Sequence, residues 1–134
     1  DVEFNLPMIS SGTTVGIRAA YSDGAVGYVN TKLATDATLV GTNLNTATAW
    51  GIAAGFSHDF TPAVNLAVTG VYNSLDAFGT AQDQDQWSLH GTLAWTPVSG
   101  LVIGTEVEYV SDDFGAGGVD DDDLTATFRV QRTF

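Results

Sequence analysis

The stretch LTATFRVQRTF, from Leu124 to Phe134, decides the fold of this chain. Counting from Leu124, every second position is apolar except Arg132, and the positions between them hold Thr, Arg or Gln. Successive side chains of a β-strand point to opposite faces, whereas the faces of a helix repeat about every 3.6 residues. An alternation of period two over this length therefore predicts a strand with one apolar and one polar face.

The same alternation recurs along the whole chain. It predicts further strands at 101–109, 87–96, 64–73, 50–60 and 14–21, a shorter one at 25–31, and another near 2–8. Short connections rich in turn residues are predicted at 22–24, 61–63 and 97–100, and long ones at 32–47, 77–85 and 112–123. Short turns at one end and long loops at the other are typical of membrane barrels. We therefore predict that residues 1–134 form a single all-β segment, an antiparallel up-and-down transmembrane β-barrel with seven or eight strands.

The composition also departs from that of a soluble domain. Charged residues make up 15% of the chain, against roughly 25% in typical soluble proteins, yet the net charge is −12. Such an acidic chain is a poor nucleic-acid binder, because phosphate contacts need Lys and Arg. There is no cysteine, which excludes a disulfide framework and thiolate chemistry. The sequence contains no apolar run of about 18 residues, which is the length that a membrane-spanning helix needs. A membrane-spanning strand needs only about 10 residues.

Aromatic residues mark two levels on the apolar face. Trp87 and Trp95 are eight residues apart, and Trp50 and Phe60 are ten apart. At about 3.3 Å per residue and a tilt of about 40°, these spacings correspond to roughly 20 and 25 Å along the membrane normal. Since the residues between them are mostly Leu, Ile, Ala and Gly, we predict an apolar band edged by two aromatic girdles.

The other aromatic residues extend these girdles. We expect Tyr72 and Tyr109 at the long-loop edge, and Tyr21 and Phe134 at the short-turn edge. The alternative is that the aromatic residues are ordinary core residues of a soluble sandwich or barrel, for instance a binding barrel of lipocalin type. A soluble core, however, has no reason to place its aromatic residues at the strand ends.

The face opposite the aromatic residues carries polar and charged side chains. We predict that it lines a wet lumen through Arg18, Arg129, Glu106, Glu108, His90 and Gln131. The arginines and glutamates there permit two interpretations. They line a pore and select ions by size and sign, or they form salt bridges that brace the barrel wall. The two interpretations are compatible.

Other candidate sites are weaker. Asp120, Asp121, Asp122 and Asp123, with Asp112 and Asp113, are candidates for binding calcium or for bridging to lipopolysaccharide through divalent cations. Their spacing matches no calcium-loop motif, so the alternative is a solvated acidic loop. His58 and His90 have no partner at metal-ligand spacing. We find no catalytic motif, and we predict neither an enzyme nor a cofactor.

Several segments resemble one family. The chain ends in Arg129-Val-Gln-Arg-Thr-Phe134, and Ala94-Trp-Thr-Pro-Val98 is followed by Leu101-Val-Ile-Gly-Thr-Glu-Val-Glu-Tyr109. Phe4-Asn-Leu-Pro-Met-Ile9 is followed by Ala20-Tyr-Ser-Asp-Gly-Ala25. Together these motifs resemble the general outer-membrane porins of rhizobial-type alphaproteobacteria, whose terminal Phe is a recognition mark for barrel assembly.

The resemblance implies a homotrimer of sixteen-stranded barrels that passes ions and small hydrophilic solutes by diffusion, in contact with outer-membrane lipid and lipopolysaccharide. It also implies a mature chain more than twice this long, with an inward-folded constriction loop upstream. We therefore expect the C-terminal part of a porin, with about half of its barrel strands. The alternative is a small closed barrel of eight strands with a structural, adhesive or surface-binding role, whose interior would be filled by side chains.

Overall fold

The computed structural model describes residues 2–5, 12–29, 36–77, 83–115 and 119–133. Nine strands and one short 3₁₀ turn, Val26–Tyr28, make up the described chain. The strands are β1 (Val2–Asn5), β2 (Thr13–Asp23), β3 (Ala37–Val40), β4 (Asn43–Thr46), β5 (Thr48–Thr61), β6 (Val64–Asp76), β7 (Gln84–Val98), β8 (Leu101–Phe114) and β9 (Asp121–Arg132).

Seven of these strands form one antiparallel sheet in the order β1-β2-β5-β6-β7-β8-β9. The strands β3 and β4 form a separate hairpin inserted between β2 and β5. Each strand of the large sheet therefore pairs with its neighbours along the chain, which confirms the predicted all-β, antiparallel, up-and-down architecture. Among the described residues the two edge strands, β1 and β9, do not pair with each other, so the sheet is open.

Tight turns set the register at one end of the sheet. The turn between β7 and β8 contains Gly100 at a φ of +79°, a conformation that L side chains rarely adopt. A Cβ at this position would also lie 2.7 Å from the carbonyl oxygen of Thr133. Both observations explain why glycine follows Ser99 here. The predicted short connections at 61–63 and 97–100 are confirmed.

The registers keep the two faces of the sheet separate. In the middle of the sheet, Tyr72 pairs with Trp87 on the apolar face, and Asn73 pairs with Gln86 on the polar face. Because paired residues of adjacent strands point to the same side, the alternation seen in each strand adds up to one apolar and one polar surface.

The prediction of a tight turn at 22–24 and a strand at 25–31 was wrong over residues 22–29, and residues 30 and 31 lie outside the described part of the chain. The strand β2 runs to Asp23, which pairs with Thr48 of β5, and Val26–Tyr28 is a 3₁₀ turn. The pair Asp23-Gly24 correctly signals a residue with positive φ, since Gly24 has a φ of +71°. Instead of reversing the strand, however, it begins a long connection that returns to the sheet at Ala47, whose carbonyl oxygen accepts a hydrogen bond of 2.9 Å from the Gly24 N–H.

A consequence is that Tyr21 lies at the opposite edge from the one predicted. It pairs with Trp50, next to the long connection that joins β2 to β5. Tyr21 thus belongs to the long-loop edge together with Tyr72 and Tyr109. Phe134, predicted at the short-turn edge, lies outside the described residues.

The acidic residues at 112–123 were also predicted in the wrong kind of element. Asp112 and Asp113 lie near the end of β8, and Asp121–Asp123 begin β9, so the connection between these strands is shorter than predicted. Asp112 pairs with Asp121, and Asp85 lies in β7 rather than in a loop. The backbone ladder continues past the apolar band, because hydrogen bonding between neighbouring strands does not depend on side-chain polarity.

Buried apolar residues are concentrated in one small cluster, which consists of Val26, Ala47, Ala49 and Leu75. Ala49 pairs with Leu75, and both residues share the polar face with Asn73 and Gly51. The long connection between β2 and β5 therefore packs against the polar side of the sheet. Within the described part of the chain, no helix is long and apolar enough to cross a membrane.

Candidate functional site

The predicted lumen residues all lie on the polar face. Arg18 is on β2, His90 on β7, Glu106 and Glu108 on β8, and Arg129 and Gln131 on β9. The registers place them on one side: His90 pairs with Glu108, and Arg129 pairs with Gly104, which lies two residues from Glu106. The sequence alternation had predicted this common face.

The polar face is concave around Arg18. Arg18 and Glu108 line the same cavity of about 400 Å³, although β5, β6 and β7 lie between their strands. In a flat sheet, four strand spacings of about 4.8 Å would separate the two strands by roughly 19 Å. The sheet therefore curves with its polar side inward. The segment Gly27–Val29 lines the same cavity.

A second, smaller cavity lies on the same face toward the short turns. Its volume is about 150 Å³, and its lining includes Glu106, Arg129 and Gln131. Glu106 interacts with His90, whose Nε2 lies 2.7 Å from Glu106 Oε1. Both side chains are about 40% exposed, at 38% for His90 and 40% for Glu106. The hydrogen-bond partner of Glu106 is thus a histidine on the neighbouring strand β7.

Sequence reasoning missed a group of amides on the polar face. Gln84 and Gln86 donate hydrogen bonds of 3.0 and 2.6 Å from their Nε2 atoms to Oδ1 of Asp112. Gln86 is buried and also lines the larger cavity, as does Asn73. The signal was present, since Gln84 and Gln86 share the parity of His90 on β7, but uncharged amides were not singled out as candidates.

Aromatic side chains form a row across the opposite face, at the long-loop edge. Tyr21 pairs with Trp50, and Tyr72 pairs with Trp87. The rings of Trp50 and Tyr72 are 5.3 Å apart, and those of Trp87 and Tyr109 are 4.8 Å apart. We call these five residues, which lie on the five adjacent strands β2, β5, β6, β7 and β8, the aromatic row.

At the short-turn edge, Phe60 and Trp95 occupy the apolar face. The register of β5 shifts between Asp59 and Thr61, so Phe60 lies at an irregularity of the strand. The ring of Phe60 packs edge-on against that of His58 at 4.8 Å. His58 therefore shares the apolar face with these aromatic residues, and its Nδ1 lies 2.9 Å from the hydroxyl oxygen of Thr13.

The apolar face between these two edges is exposed. Ile52, Leu89 and Leu93 each expose nearly half of their surface, and Phe128 exposes 69%. A contiguous apolar surface of this extent is foreign to water-soluble monomers and marks a contact with lipid or protein. The alternative of a soluble core does not fit, because these side chains point away from the concave side of the sheet.

The acidic residues at 120–123 are not arranged as a cation site. Asp121, Asp122 and Asp123 are consecutive strand residues, so their side chains alternate between the two faces. Nowhere in the described ranges do three His, Asp or Glu side chains come together in a way that could hold a metal ion.

A curved antiparallel sheet with a polar concave side and an exposed apolar side, edged by aromatic residues, is the wall of an outer-membrane barrel. Residues 2–132 match a protein family described as a porin subfamily. The chain belongs to this porin family. Neither a curated protein nor a solved structure matches it. As a porin, the protein is an outer-membrane β-barrel with transmembrane strands, and the family implies a channel rather than an enzyme.

Proposed function

We propose that this porin lines a water-filled channel through which ions and small hydrophilic solutes diffuse passively across the outer membrane. The observation that carries the proposal is the cavity shared by Arg18 and Glu108 on the concave side of the sheet. Charged and amide side chains from four strands face this space, whereas the convex side exposes leucine, isoleucine and aromatic residues. Water and solutes therefore have a polar path, and lipid has an apolar surface.

The pore-lining residues in this proposal are Arg18, Arg129, Glu106, Glu108, His90 and Gln131. Arginines and glutamates on the same wall create a local field that favours ions of one sign at each position. Cavities on this wall are lined by both signs, one by Arg18 and Glu108 and the other by Arg129 and Glu106. Solutes need no bound cofactor to pass, since their driving force is their own concentration gradient.

The aromatic row forms one interfacial girdle, and Phe60 and Trp95 belong to the other, together with Phe134. Trp and Tyr prefer the level of the lipid headgroups, where a ring contacts hydrocarbon and a polar atom contacts water. The ring contacts within the row keep these side chains at one level. Outer-membrane lipid and lipopolysaccharide are the partners that this surface would contact.

We also infer that residues 1–134 are the C-terminal part of a rhizobial-type general porin that acts as a homotrimer. Besides the sequence motifs, the open edges of the sheet support the inference of a larger barrel. In the part of the chain that the structure describes, β1 and β9 do not pair, and unpaired strand edges in hydrocarbon cost several kcal/mol per backbone group. Additional strands would satisfy these edges. A small closed barrel is not favoured, because it would need the two edges to meet.

Planar-bilayer recordings test the channel. Purified full-length protein should produce stepwise conductance increases, with steps that scale with the salt concentration because the path is filled with water. A protein that inserts into the bilayer, as shown by protease protection, but gives no conductance would overturn the proposed function. A chain restricted to residues 1–134 serves as the comparison, and it should not conduct by itself if more strands are needed to close the barrel.

A further inference from the structure

The long connection between β2 and β5 does not simply extend away from the sheet. The Val26 N–H donates a hydrogen bond of 2.8 Å to Oδ1 of Asp36, and the Gly24 N–H donates one to the carbonyl oxygen of Ala47. Two further bonds, from Tyr28 N to Ala25 O and from Val29 N to Val26 O, close the 3₁₀ turn. The segment Gly24–Val29, which we call the inner turn, therefore has a defined shape and is hydrogen-bonded to Asp36 and Ala47.

An apolar anchor holds the inner turn against the polar face. Val26 is fully buried among Ala47, Ala49 and Leu75, and Val29 packs against the same cluster. Burial of a valine side chain stabilises by roughly 1.5 to 3 kcal/mol. Since Ala49 and Leu75 belong to the concave side of the sheet, the anchor fixes the inner turn on the side of the lumen.

Close approach to the wall requires a glycine. A Cβ at Gly51 would lie 3.0 Å from Cγ1 of Val29 and would collide with the amide oxygen of Asn73. The absence of a side chain at this position lets Val29 sit directly on the strand. The wall of β5 is thus shaped to receive the inner turn.

The inner turn borders the cavity that the charged residues of the wall line. Gly27, Tyr28 and Val29 line the same cavity as Arg18 and Glu108. The side chain of Tyr28 is 81% exposed, although Val26 two residues earlier is fully buried. Val26 therefore anchors the turn to the wall, while Tyr28 stays exposed and borders the cavity.

We propose that the inner turn is a constriction element of the channel and that Tyr28 is the side chain that limits the size of the solutes that pass it. This inference rests on the proposed channel function. It places a constriction in the connection between β2 and β5, in addition to any formed by other parts of the barrel. Solutes passing this level would move between the Tyr28 ring and the polar residues of β7 and β8.

Substitution of Tyr28 tests the proposal in the full-length protein. We expect Tyr28→Ala to raise the unitary conductance and to speed the entry of larger sugars into proteoliposomes more than that of small ones. Tyr28→Phe keeps the ring and should behave as the parent does. Tyr21→Ala is the matched control, because Tyr21 is also a largely exposed tyrosine, at 71%, but it lies on the apolar face.

A cysteine variant provides a second readout that does not depend on enlarging the pore. The chain contains no cysteine, so Tyr28→Cys introduces a single reactive thiol into this part of the protein. A water-soluble methanethiosulfonate reagent should then lower the conductance of open channels, and it should leave Tyr21→Cys channels unchanged. A conducting parent whose conductance and solute cut-off are the same in Tyr28→Ala, or whose Tyr28→Cys variant does not respond to the reagent, would overturn the constriction while leaving the channel itself in place. A parent that inserts without conducting would overturn both.

Discussion

Arg18 and Glu108 lie on strands that are four positions apart in the sheet, yet their side chains border one cavity. The curvature of the sheet thus brings a positive and a negative side chain to the same space. In a water-filled path, such a pair attracts anions on one side and cations on the other, and each charge contributes to the selectivity of the channel.

Removal of the Glu108 charge should make the channel less selective for cations. An ion about 4 Å from a carboxylate is attracted by about 1 kcal/mol in water, so we expect Glu108→Gln to lower the ratio of cation to anion permeability by at most about five-fold. Reversal potentials across a salt gradient measure this ratio. Arg18→Gln should shift the reversal potential in the opposite direction. Asp113→Asn, an exposed acid on the other face of β8, is the control for the loss of a charge. Equal shifts for Glu108→Gln and Asp113→Asn would contradict a pore-lining role for Glu108.

Leu93 and Thr92 are adjacent in β7 but face opposite sides of the sheet, which separates lipid from lumen. A lysine on the lipid-facing side of a membrane barrel costs about 2–4 kcal/mol near the bilayer midplane, and less toward the interfaces. We expect Leu93→Lys to lower the free energy of unfolding in phospholipid vesicles by an amount of this order, and Thr92→Lys to change it little. Urea titrations followed by tryptophan fluorescence provide the measurement. A larger loss for Thr92→Lys would mean that the faces have been assigned the wrong way round.

Alternation predicted the central parts of β7 and β8 well, because nine or ten consecutive residues of each strand follow one period. Prediction was wrong between Ser22 and Val29, where the local pair Asp23-Gly24 suggested a hairpin turn. The burial of Val26 depends on contacts with Ala49 and Leu75, which are distant in sequence and cannot be read from the residues around position 26.

The candidate site was likewise predictable from the sequence only in part. The common face of Glu106, Glu108 and Arg129 follows from parity and could be predicted. The contact of Glu106 with His90 could not, because it depends on the register between β7 and β8. Likewise, the extension of β8 and β9 through acidic residues depends on backbone pairing, which polarity patterns do not reveal.

Substitution of Gly100 tests whether the turn between β7 and β8 requires a glycine. An alanine there must adopt a positive φ, which costs roughly 1–2 kcal/mol, and its Cβ would meet the carbonyl oxygen of Thr133. We expect Gly100→Ala to destabilise the folded barrel by at least this amount in the same urea titrations. Gly91→Ala is a suitable control, because no atom lies within 4 Å of a Cβ built at Gly91. Equal stabilities of the two variants would show that the turn tolerates a side chain.

Substitution of Val26 tests whether the apolar cluster holds the inner turn against the wall. A carboxylate at this fully buried position has no counter-charge among Ala47, Ala49 and Leu75, so burial of the charge would cost several kcal/mol. The inner turn can avoid this cost by leaving the wall, because the strands do not depend on it for their backbone pairing. We therefore expect Val26→Asp to raise the conductance and its fluctuations while the β-sheet content, measured by circular dichroism, stays the same. The exposed Val119, at 84%, supplies the control variant Val119→Asp. Loss of sheet structure in Val26→Asp would instead show that the cluster supports the barrel wall, and unchanged conductance with intact sheet structure would show that the inner turn does not narrow the path.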